Sequence, residues 1–480
     1  MPAWGAQSPL ADAAEAGRQQ AVRDLLRQGV DPNAAQADGM TALHWAAHAD
    51  DTALAELLLA SGARPGVSSR YGITPLFLAC QNGSAPMAEL LLQAGSDPNA
   101  ARRGGETVLM TAARAGDLQT ARALLAHGAR VGAREAIGGQ SALMWAAAEG
   151  HADVVRELLH AGSDIGLRLA SGFTPLLFAA REGHLDVARL LLAAGADPND
   201  SIQPPPGEPS RARRQHGAPP FGASALLIAV ENANYELAAK LVEAGADPNA
   251  DKPGYTVLHA IARVRKPGRG DNDPPPQGSG KMTSLQFVEW IARRGADLDR
   301  RMVKHVNLGN TRLNKRGATP FFLAAQSADA ELIRTLARLG ADTSIGNDDG
   351  STPLLAAAGL GTRSPGEDAG TEPEVLEALD ALLELGAEIN SVDAKGETVM
   401  HAAAYKNLPR VVAYLDSKGA DIKTWNRENR FGWTPLTIAL GYRFGNFKPS
   451  PVTIEALRRV MLARGVAPPD NAAGTTQQIY

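Results

Sequence analysis

Residues 172–199 read GFTPLLFAAREGHLDVARLLLAAGADPN and contain the pattern that decides the fold. Two short apolar segments of helical period are separated by Gly183 and closed by Gly195. Thr174 is a residue type that accepts a backbone N–H at a helix start, and Pro175 already has the φ of a first helical turn. Glycine ends helices because it adopts positive φ without strain. The stretch therefore predicts two helices joined by a tight turn.

The same pattern recurs along the chain at a nearly constant interval. A Thr/Ser-x-Leu element, or a close variant, starts five successive units at steps of 33, 33, 34 and 33 residues and then returns at longer intervals. Units that repeat at such a period stack on their neighbours and bury a continuous core. The elements start at Thr41, Thr74, Thr107, Ser141, Thr174, Ser224, Thr256, Thr319, Thr352, Thr398 and Thr434.

The unit resembles the ankyrin repeat, whose Thr-Pro-Leu-His, Ala-Ala, Gly-His and Gly-Ala-Asp elements stand here almost verbatim. The resemblance implies an all-α solenoid of about twelve helix-turn-helix units with β-hairpin-like turns. We expect a capping repeat at 1–37, ankyrin repeats over 38–429, a second capping repeat at 430–467 and a disordered tail at 468–480. We place the units at 8–37, 38–70, 71–103, 104–137, 138–170, 171–221, 222–253, 254–316, 317–349, 350–395, 396–429 and 430–467.

Four stretches interrupt the period, and their proline and glycine content predicts loops. They span 200–221, 264–281, 299–316 and 360–371. Loop-closure entropy rises by only about 0.6 kcal/mol per doubling of length, so a solenoid tolerates such insertions. Residues 300–316 hold six Arg or Lys and no acidic residue. This segment is either a solvated loop or a basic lip for an acidic partner or anionic polymer.

Bulk composition bounds the function. Charged residues make up 21% of the chain and the formal net charge is -4, which gives no reason to expect nucleic acid as a partner. The single cysteine, Cys80, excludes a disulfide framework and a four-cysteine zinc site within one chain. No apolar run has the length of a membrane span. The first nine residues carry no signal-peptide pattern, so we expect a periplasmic or secreted protein if a leader has been removed and a cytoplasmic one otherwise.

Motifs for catalysis or for binding metals and cofactors are missing from the sequence. There is no phosphate loop, Gly-x-Ser-x-Gly elbow or His-Glu-x-x-His. By the resemblance, His44, His259 and His401 brace the adjacent turn, while His151 and His184 follow the inter-helix glycine. His48 lies one helical turn after His44 but offers a metal only two ligands, and Asp271 and Asp273 match no calcium loop. We therefore expect no enzyme activity, no cofactor and no metal.

Variable positions of the unit indicate where a partner would dock. They lie on the first helix and just after the turn glycine, and several hold aromatic residues, which are common interface anchors. The alternative is that these rings fill the groove between helix layers. The candidate partner-binding residues are Met40, Trp45, His48, Ile73, Arg114, Trp145, Phe173, Phe178, Arg181, Glu182, Glu231, Tyr255, Tyr405 and Trp433.

Three functions compete. The first is a monomeric scaffold or adaptor that binds a protein on its concave face. The second is an accessory or protective factor of a bacterial envelope, because the segments 8–14 and 38–47 are similar to exported ankyrin proteins of GC-rich soil bacteria and the chain is rich in Ala, Arg and Gly but poor in Lys. The third is an enzyme with a site built in the loops, which would need clustered His, Asp or Glu that the insertions lack.

Overall fold

The structure is a computed structural model that describes residues 8–204, 219–268, 275–304, 306, 311–443 and 448–469. Its described part is helical, without β-strands, as the repeat pattern predicted. The chain divides into two compact units, Met1–Phe221 and Gly222–Tyr480, hereafter the first and second unit. None of the described helices combines the length and the apolar character that crossing a bilayer requires.

The described residues of the first unit form six consecutive helix pairs. First helices pack on the first helices of the next repeat, and from the second repeat onward second helices pack on second helices. The pairs are α1 (Pro9–Glu15) and α2 (Gln19–Arg27), α3 (Ala42–His48) and α4 (Thr52–Ala60), α5 (Pro75–Asn82) and α6 (Ala85–Gln93), α7 (Val108–Ala115) and α8 (Leu118–Ala126), α9 (Ala142–Glu149) and α10 (Ala152–His160), α11 (Pro175–Glu182) and α12 (Leu185–Ala193).

The second unit continues the pattern with less regular spacing and one additional single-turn helix. Its pairs are α13 (Ala225–Glu231) and α14 (Tyr235–Glu243), α15 (Val257–Arg265) and α16 (Ser284–Ala292), α17 (Pro320–Gln326) and α18 (Ala330–Arg338), α19 (Pro353–Ala357) and α20 (Glu372–Glu384), α21 (Val399–Lys406) and α22 (Pro409–Ser417), then the short α23 (Ile422–Trp425), α24 (Pro435–Ala439) and α25 (Pro451–Ala463).

Local chemistry explains where the helices begin and end. Thr74 accepts a hydrogen bond from the Phe77 backbone N–H at 3.2 Å and so caps α5. Gly83 ends that helix with a φ of 67°, in the left-handed region. The small residues Ala46 and Ala47 are fully buried, which lets neighbouring first helices approach closely. On the second helices one leucine of each pair, such as Leu58 or Leu124, lies in the core, and burying one such side chain contributes about 2 kcal/mol.

Adjacent β-hairpin-like turns are tied together through their backbones. Within one turn the Ser69 N–H donates to the carbonyl of Ile73 at 2.8 Å. Between turns the Arg70 N–H donates to the carbonyl of Asp38 at 2.8 Å, and the Ala136 N–H donates to the carbonyl of Gly104 at 2.7 Å. These bonds hold consecutive turn tips in a fixed register.

The insertions are partly described. Helix α15 extends through Arg265, so the expected loop at 264–281 begins two residues later than the sequence predicted. Ion pairs of Arg265 with Asp329 and Glu331 hold this last helical turn. The insertions 299–316 and 360–371 meet at a β-bridge between Thr311 and Thr362. Residues 205–218, 269–274, 305 and 307–310 of the expected loops, and 470–480 of the expected tail, lie outside the described residues.

Candidate surface for partner binding

In three repeats a buried histidine joins its own repeat to the following repeat. The Nδ1 of His44 accepts the Thr41 backbone N–H at 3.1 Å, and its Nε2 donates to the carbonyl of Ile73 at 3.0 Å. His259 and His401 repeat this arrangement toward Ala318 and toward Arg427 and Trp433. Burial lowers the pKa of His259 and of His401 to about 4, so both rings are neutral near pH 7. These histidines are structural braces.

The histidines after the inter-helix glycine act in a second brace. The Nε2 of His151 donates to the carbonyl of Arg114 at 2.9 Å, and that of His184 donates to the carbonyl of Ala148 at 2.9 Å. A Cβ at Gly116 would lie 2.5 Å from the His151 ring, so both the positive φ and the space require glycine.

The structure shows the surroundings of His48, one of the residues weighed above as a metal ligand. His48 is exposed and its ring packs edge-on against Trp45, with centroids 5.8 Å apart. Within the described ranges no three His, Cys, Asp or Glu residues gather as metal ligands would. Asp271 and Asp273 lie outside those ranges.

The two candidate tryptophans that lie on first helices, Trp45 and Trp145, remain partly accessible. The Trp45 indole Nε1 donates to Gln36 Oε1 at 2.7 Å. The Trp145 Nε1 is buried and has no hydrogen-bond partner among the described residues. The Arg114 guanidinium lies over the Trp145 ring at 5.3 Å, and it is 3.6 Å from Glu106. Trp145 therefore offers an apolar edge beside a cation.

Four aromatic candidates, Phe173, Phe178, Tyr255 and Tyr405, are buried, which favours the alternative that their rings fill the space between helix layers. Phe178 is only 7% exposed because it packs against Phe173 at 4.9 Å and the Arg181 guanidinium lies over both rings. The Tyr255 hydroxyl donates to Glu231 Oε1 at 2.7 Å. The Tyr405 hydroxyl likewise points inward, donating to Glu397. For these rings the packing interpretation holds.

The remaining candidates keep some accessible surface. His48 and Glu182 are exposed. The half-buried ones are Met40, Trp45, Ile73, Arg114, Trp145, Arg181, Glu231 and Trp433. Eight of these ten residues belong to the first unit, and Glu231 and Trp433 belong to the second.

Two strongly exposed apolar side chains of the first unit lie at turn tips that sequence reasoning missed. Tyr71 is 63% exposed and Ile137 is 91% exposed. A Cβ on Gly72 would lie 3.1 Å from the Arg103 backbone N, and one on Gly104 would lie 3.5 Å from Ile137 Cδ1, so the three tips are contiguous. We call Tyr71, Arg102, Arg103 and Ile137 the tip surface.

A sequence signal for the tip surface exists in the residue type at the turn. Asp38 and Ser171 occupy the position directly before the turn glycine in other repeats. A bulky Tyr71 there, or Ile137 before a Gly-Gly pair, has no neighbour in its own turn to cover it. Comparing tip positions across repeats would have found both residues.

Comparison with known proteins agrees with this architecture. The family model described as "Ankyrin repeats (3 copies)" matches residues 10–102, 109–202 and 371–448, which together exceed half of the chain, and "Ankyrin repeat" matches 221–252. The chain belongs to the ankyrin-repeat family.

Individual relatives match this ankyrin-repeat protein over short regions. "Ankyrin repeat and SOCS box protein 6" of Homo sapiens is 31% identical over 115 residues, which are 22% of this chain and 27% of the relative. "NF-kappa-B inhibitor delta" of Mus musculus is 33% identical over 132 residues, 28% of this chain and 35% of the relative. The crystal structure of the human ASB11 ankyrin repeat domain matches with a TM-score of 0.41 and 28% identity, covering 50% of this chain and all of that domain. The chain thus spans about a third or less of the curated relatives' length.

Three arginines of the basic segment are ion-paired with acidic residues of this ankyrin array. Arg300 pairs with Asp251 at 2.6 Å, and Asp348 accepts both Arg301 at 3.1 Å and Arg316 at 3.0 Å. Lys315, a fourth cation of the segment, is fully buried. Of the two interpretations of 300–316, the lip for an external anion is therefore not needed to account for Arg300, Arg301 and Arg316, which have acidic partners within the chain.

Proposed function

We propose that this protein is a non-enzymatic scaffold that binds another protein through the tip surface of its first unit. Membership of the ankyrin-repeat family supports binding as the function, and the mouse relative is named for inhibiting NF-kappa-B. The observation that carries the location is the pair of exposed apolar side chains, Tyr71 and Ile137, on backbones fixed by inter-turn hydrogen bonds.

The energetics favour such a surface. A rigid, preformed site loses little conformational entropy on binding. Burying Tyr71 and Ile137 against a partner would contribute about 2 kcal/mol each, which is the size of an interface hot spot. Both side chains are exposed in the free protein, so this stabilisation by burial arises only when a partner binds.

The charges beside these residues indicate the chemistry of the partner. Arg102 donates to Glu106 at 2.7 Å and so carries little free charge. Arg103 is exposed and makes no ion pair with a described residue. The partner patch would therefore be apolar at its centre with an acidic group facing Arg103. Trp145 and the other half-buried candidates on the first helices are a second line of contact in this proposal.

The test compares matched variants. Partners captured from a lysate of the source organism with the full chain would be purified and their Kd measured by calorimetry. Tyr71→Ala with Ile137→Ala is expected to weaken binding at least about tenfold, since each lost contact of 1.4 kcal/mol is a factor of ten. Val452→Ala with Leu462→Ala removes comparably exposed apolar side chains from α25 and serves as the control.

Two outcomes decide between surfaces. A Kd that stays unchanged in the tip variant contradicts the tip surface. Loss of binding only in Trp45→Ala with Trp145→Ala would assign the contact to the first helices instead.

The compartment and source remain hypotheses from the sequence. The similarity of segments 8–14 and 38–47 to exported proteins of GC-rich soil bacteria supports an envelope location. Fractionation of the source organism with an antibody to this chain tests it, and a signal confined to the cytosol contradicts it. A monomer is our proposal for the oligomeric state, to be checked by light scattering.

A further inference from the structure

A cavity of about 610 Å³ lies within the second unit between two insertions and two turns. One wall is formed by residues 311–313 and 360–363. These two segments are joined by a hydrogen bond that the Arg312 backbone N–H donates to the Gly361 carbonyl at 2.8 Å. The other wall is formed by residues 393–397 and 430–431. The volume falls in the range of ligand pockets, about 300–1,000 Å³. The ankyrin repeat alone does not supply this cavity, because one wall belongs to the insertions.

The floor of the cavity carries an incompletely satisfied carboxyl group. Glu397 is 3% exposed, and its Oε1 accepts Asn429 Nδ2 at 2.9 Å and the Tyr405 hydroxyl at 3.1 Å. Its Oε2 is buried and has no hydrogen-bond partner among the described residues. Leaving an ionised oxygen buried without a donor is unfavourable by several kcal/mol. The arrangement therefore favours a protonated Oε2 that can donate.

The pKa of this carboxyl group supports the same assignment. Burial raises the pKa of Glu397 to about 7, against the hydrogen bonds from Asn429 and Tyr405, which lower it. The group thus carries its proton in about half of the molecules at pH 7.

The other charged groups beside the floor are already engaged. Asp393 Oδ1 accepts the backbone N–H groups of Lys395 at 2.8 Å and Glu397 at 2.9 Å, and its Oδ2 accepts the Ser351 hydroxyl at 2.8 Å. The Lys395 ammonium pairs with Asp349. These residues shape the cavity and leave little charge for a ligand.

The rim of the cavity is cationic. Arg363 and Arg430 both line it and are exposed, and neither forms an ion pair within the described part of the chain. The Arg430 guanidinium lies over the Phe431 ring at 4.8 Å, which restrains it. Guanidinium groups bind carboxylates in a two-point geometry.

We propose that this cavity binds a carboxylate, which Arg363 and Arg430 pair with at the rim while the Glu397 carboxyl donates its proton in a hydrogen bond from the floor. One proton is shared between the two carboxyl groups, so the complex forms only with protonated Glu397. A phosphate is disfavoured because its second charge would oppose the buried acid. The carboxylate comes from a free dicarboxylic acid or from an acidic side chain of a peptide, and this proposal does not depend on the tip surface.

The experiment is calorimetric titration of the full chain with two probes, glutarate and the capped peptide acetyl-Gly-Glu-Gly-amide. Because only protonated Glu397 binds, the apparent Kd rises with the ionised fraction, by about tenfold from about pH 6 to about pH 8. Binding of glutarate alone identifies a free acid as the ligand, and binding of the peptide identifies an acidic side chain. If neither probe binds, the proposal is wrong.

Variants distinguish the contribution of Glu397 to the pH dependence of binding from that of the charged groups around it. Those groups are Asp393 and Lys395 from its own turn, Tyr405 from α21, Arg430 from the next turn, and Arg312 and Arg363 from the insertions. Glu397→Gln keeps a donor at the floor, so it is expected to bind with a Kd that no longer changes with pH. A pH dependence that survives in this variant overturns the role of Glu397.

The rim has its own pair of variants. Arg363→Met with Arg430→Met is expected to weaken binding at least about tenfold at either pH. Arg459→Met removes an exposed arginine from α25 and is the matched control. Equal affinity in the rim variant and its control would refute the proposed contacts.

Discussion

Replacing His401 tests the brace between the last two repeats. The ring is fully buried, and its pKa of about 4 lies below the ordinary value of 6.5. The unfolded chain therefore takes up a proton at a pH at which the folded one does not. The stability supplied by the neutral ring is complete above pH 6.5 and is lost as the pH falls toward 4. The difference of about 2.5 pKa units corresponds to about 3 kcal/mol.

The geometry explains why the protonated ring is unfavourable. The neutral Nδ1 accepts the Thr398 backbone N–H at 3.3 Å, while Nε2 donates to the carbonyls of Arg427 and Trp433. A protonated Nδ1 would place a donor against that N–H. His401→Gln is consequently less stable near pH 7 but has a flatter pH dependence.

Hydrogen exchange of α21 and α22 measures this effect locally, which suits a repeat array that does not unfold in one step. Between about pH 7 and about pH 4.5, the opening free energy of the wild type is expected to fall by about 2 kcal/mol more than that of the variant. His48→Gln changes an exposed ring and should follow the wild type. An identical pH slope in His401→Gln and wild type would refute the reasoning.

Two further predictions concern buried groups of the array. Arg265→Met leaves the Asp329 carboxylate, which is 1% exposed, without its ion pair, and it should destabilise α18 by about 3–5 kcal/mol in urea unfolding. The control is Arg334→Met, which removes an exposed ion pair with Glu377 and should change stability by less than about 1 kcal/mol. Similar losses of stability in the two variants would contradict the role of burial. Burial raises the pKa of the Cys80 thiol, so a thiol-reactive dye should label it only after denaturation, and fast labelling of the folded protein would contradict its buried placement.

The sequence predicts the repeats well because their signals are local. A threonine such as Thr74 caps its own helix, and a glycine such as Gly83 ends it, so helix positions follow from neighbouring residues. Exposure at a given repeat position is less predictable. Phe178 and Trp145 occupy the same slot, yet Phe173 and Arg181 cover the former, because burial depends on side chains from other positions.

The cavity of the second unit could not be predicted in this way. It depends on Thr311 pairing with Thr362, which belong to different insertions and have no shared pattern. Glu397 also gives no local sign of burial, since an acidic residue next to a turn glycine usually faces solvent. Only the three-dimensional arrangement brings Tyr405 and Asn429 to it.

The histidine braces have a consequence for how such a chain lengthens over generations. The repeat that holds His151 brings both a ring that reaches back to the Arg114 carbonyl of the preceding repeat and the Ala148 carbonyl that accepts the His184 ring of the next repeat. A gene duplication in steps of whole repeats therefore copies both halves of the junction, and no new contact has to arise by mutation. The bridge between Thr311 and Thr362 has the opposite effect on duplication, because its two halves belong to different repeats. It ties two insertions into a block that survives recombination only if both are inherited together.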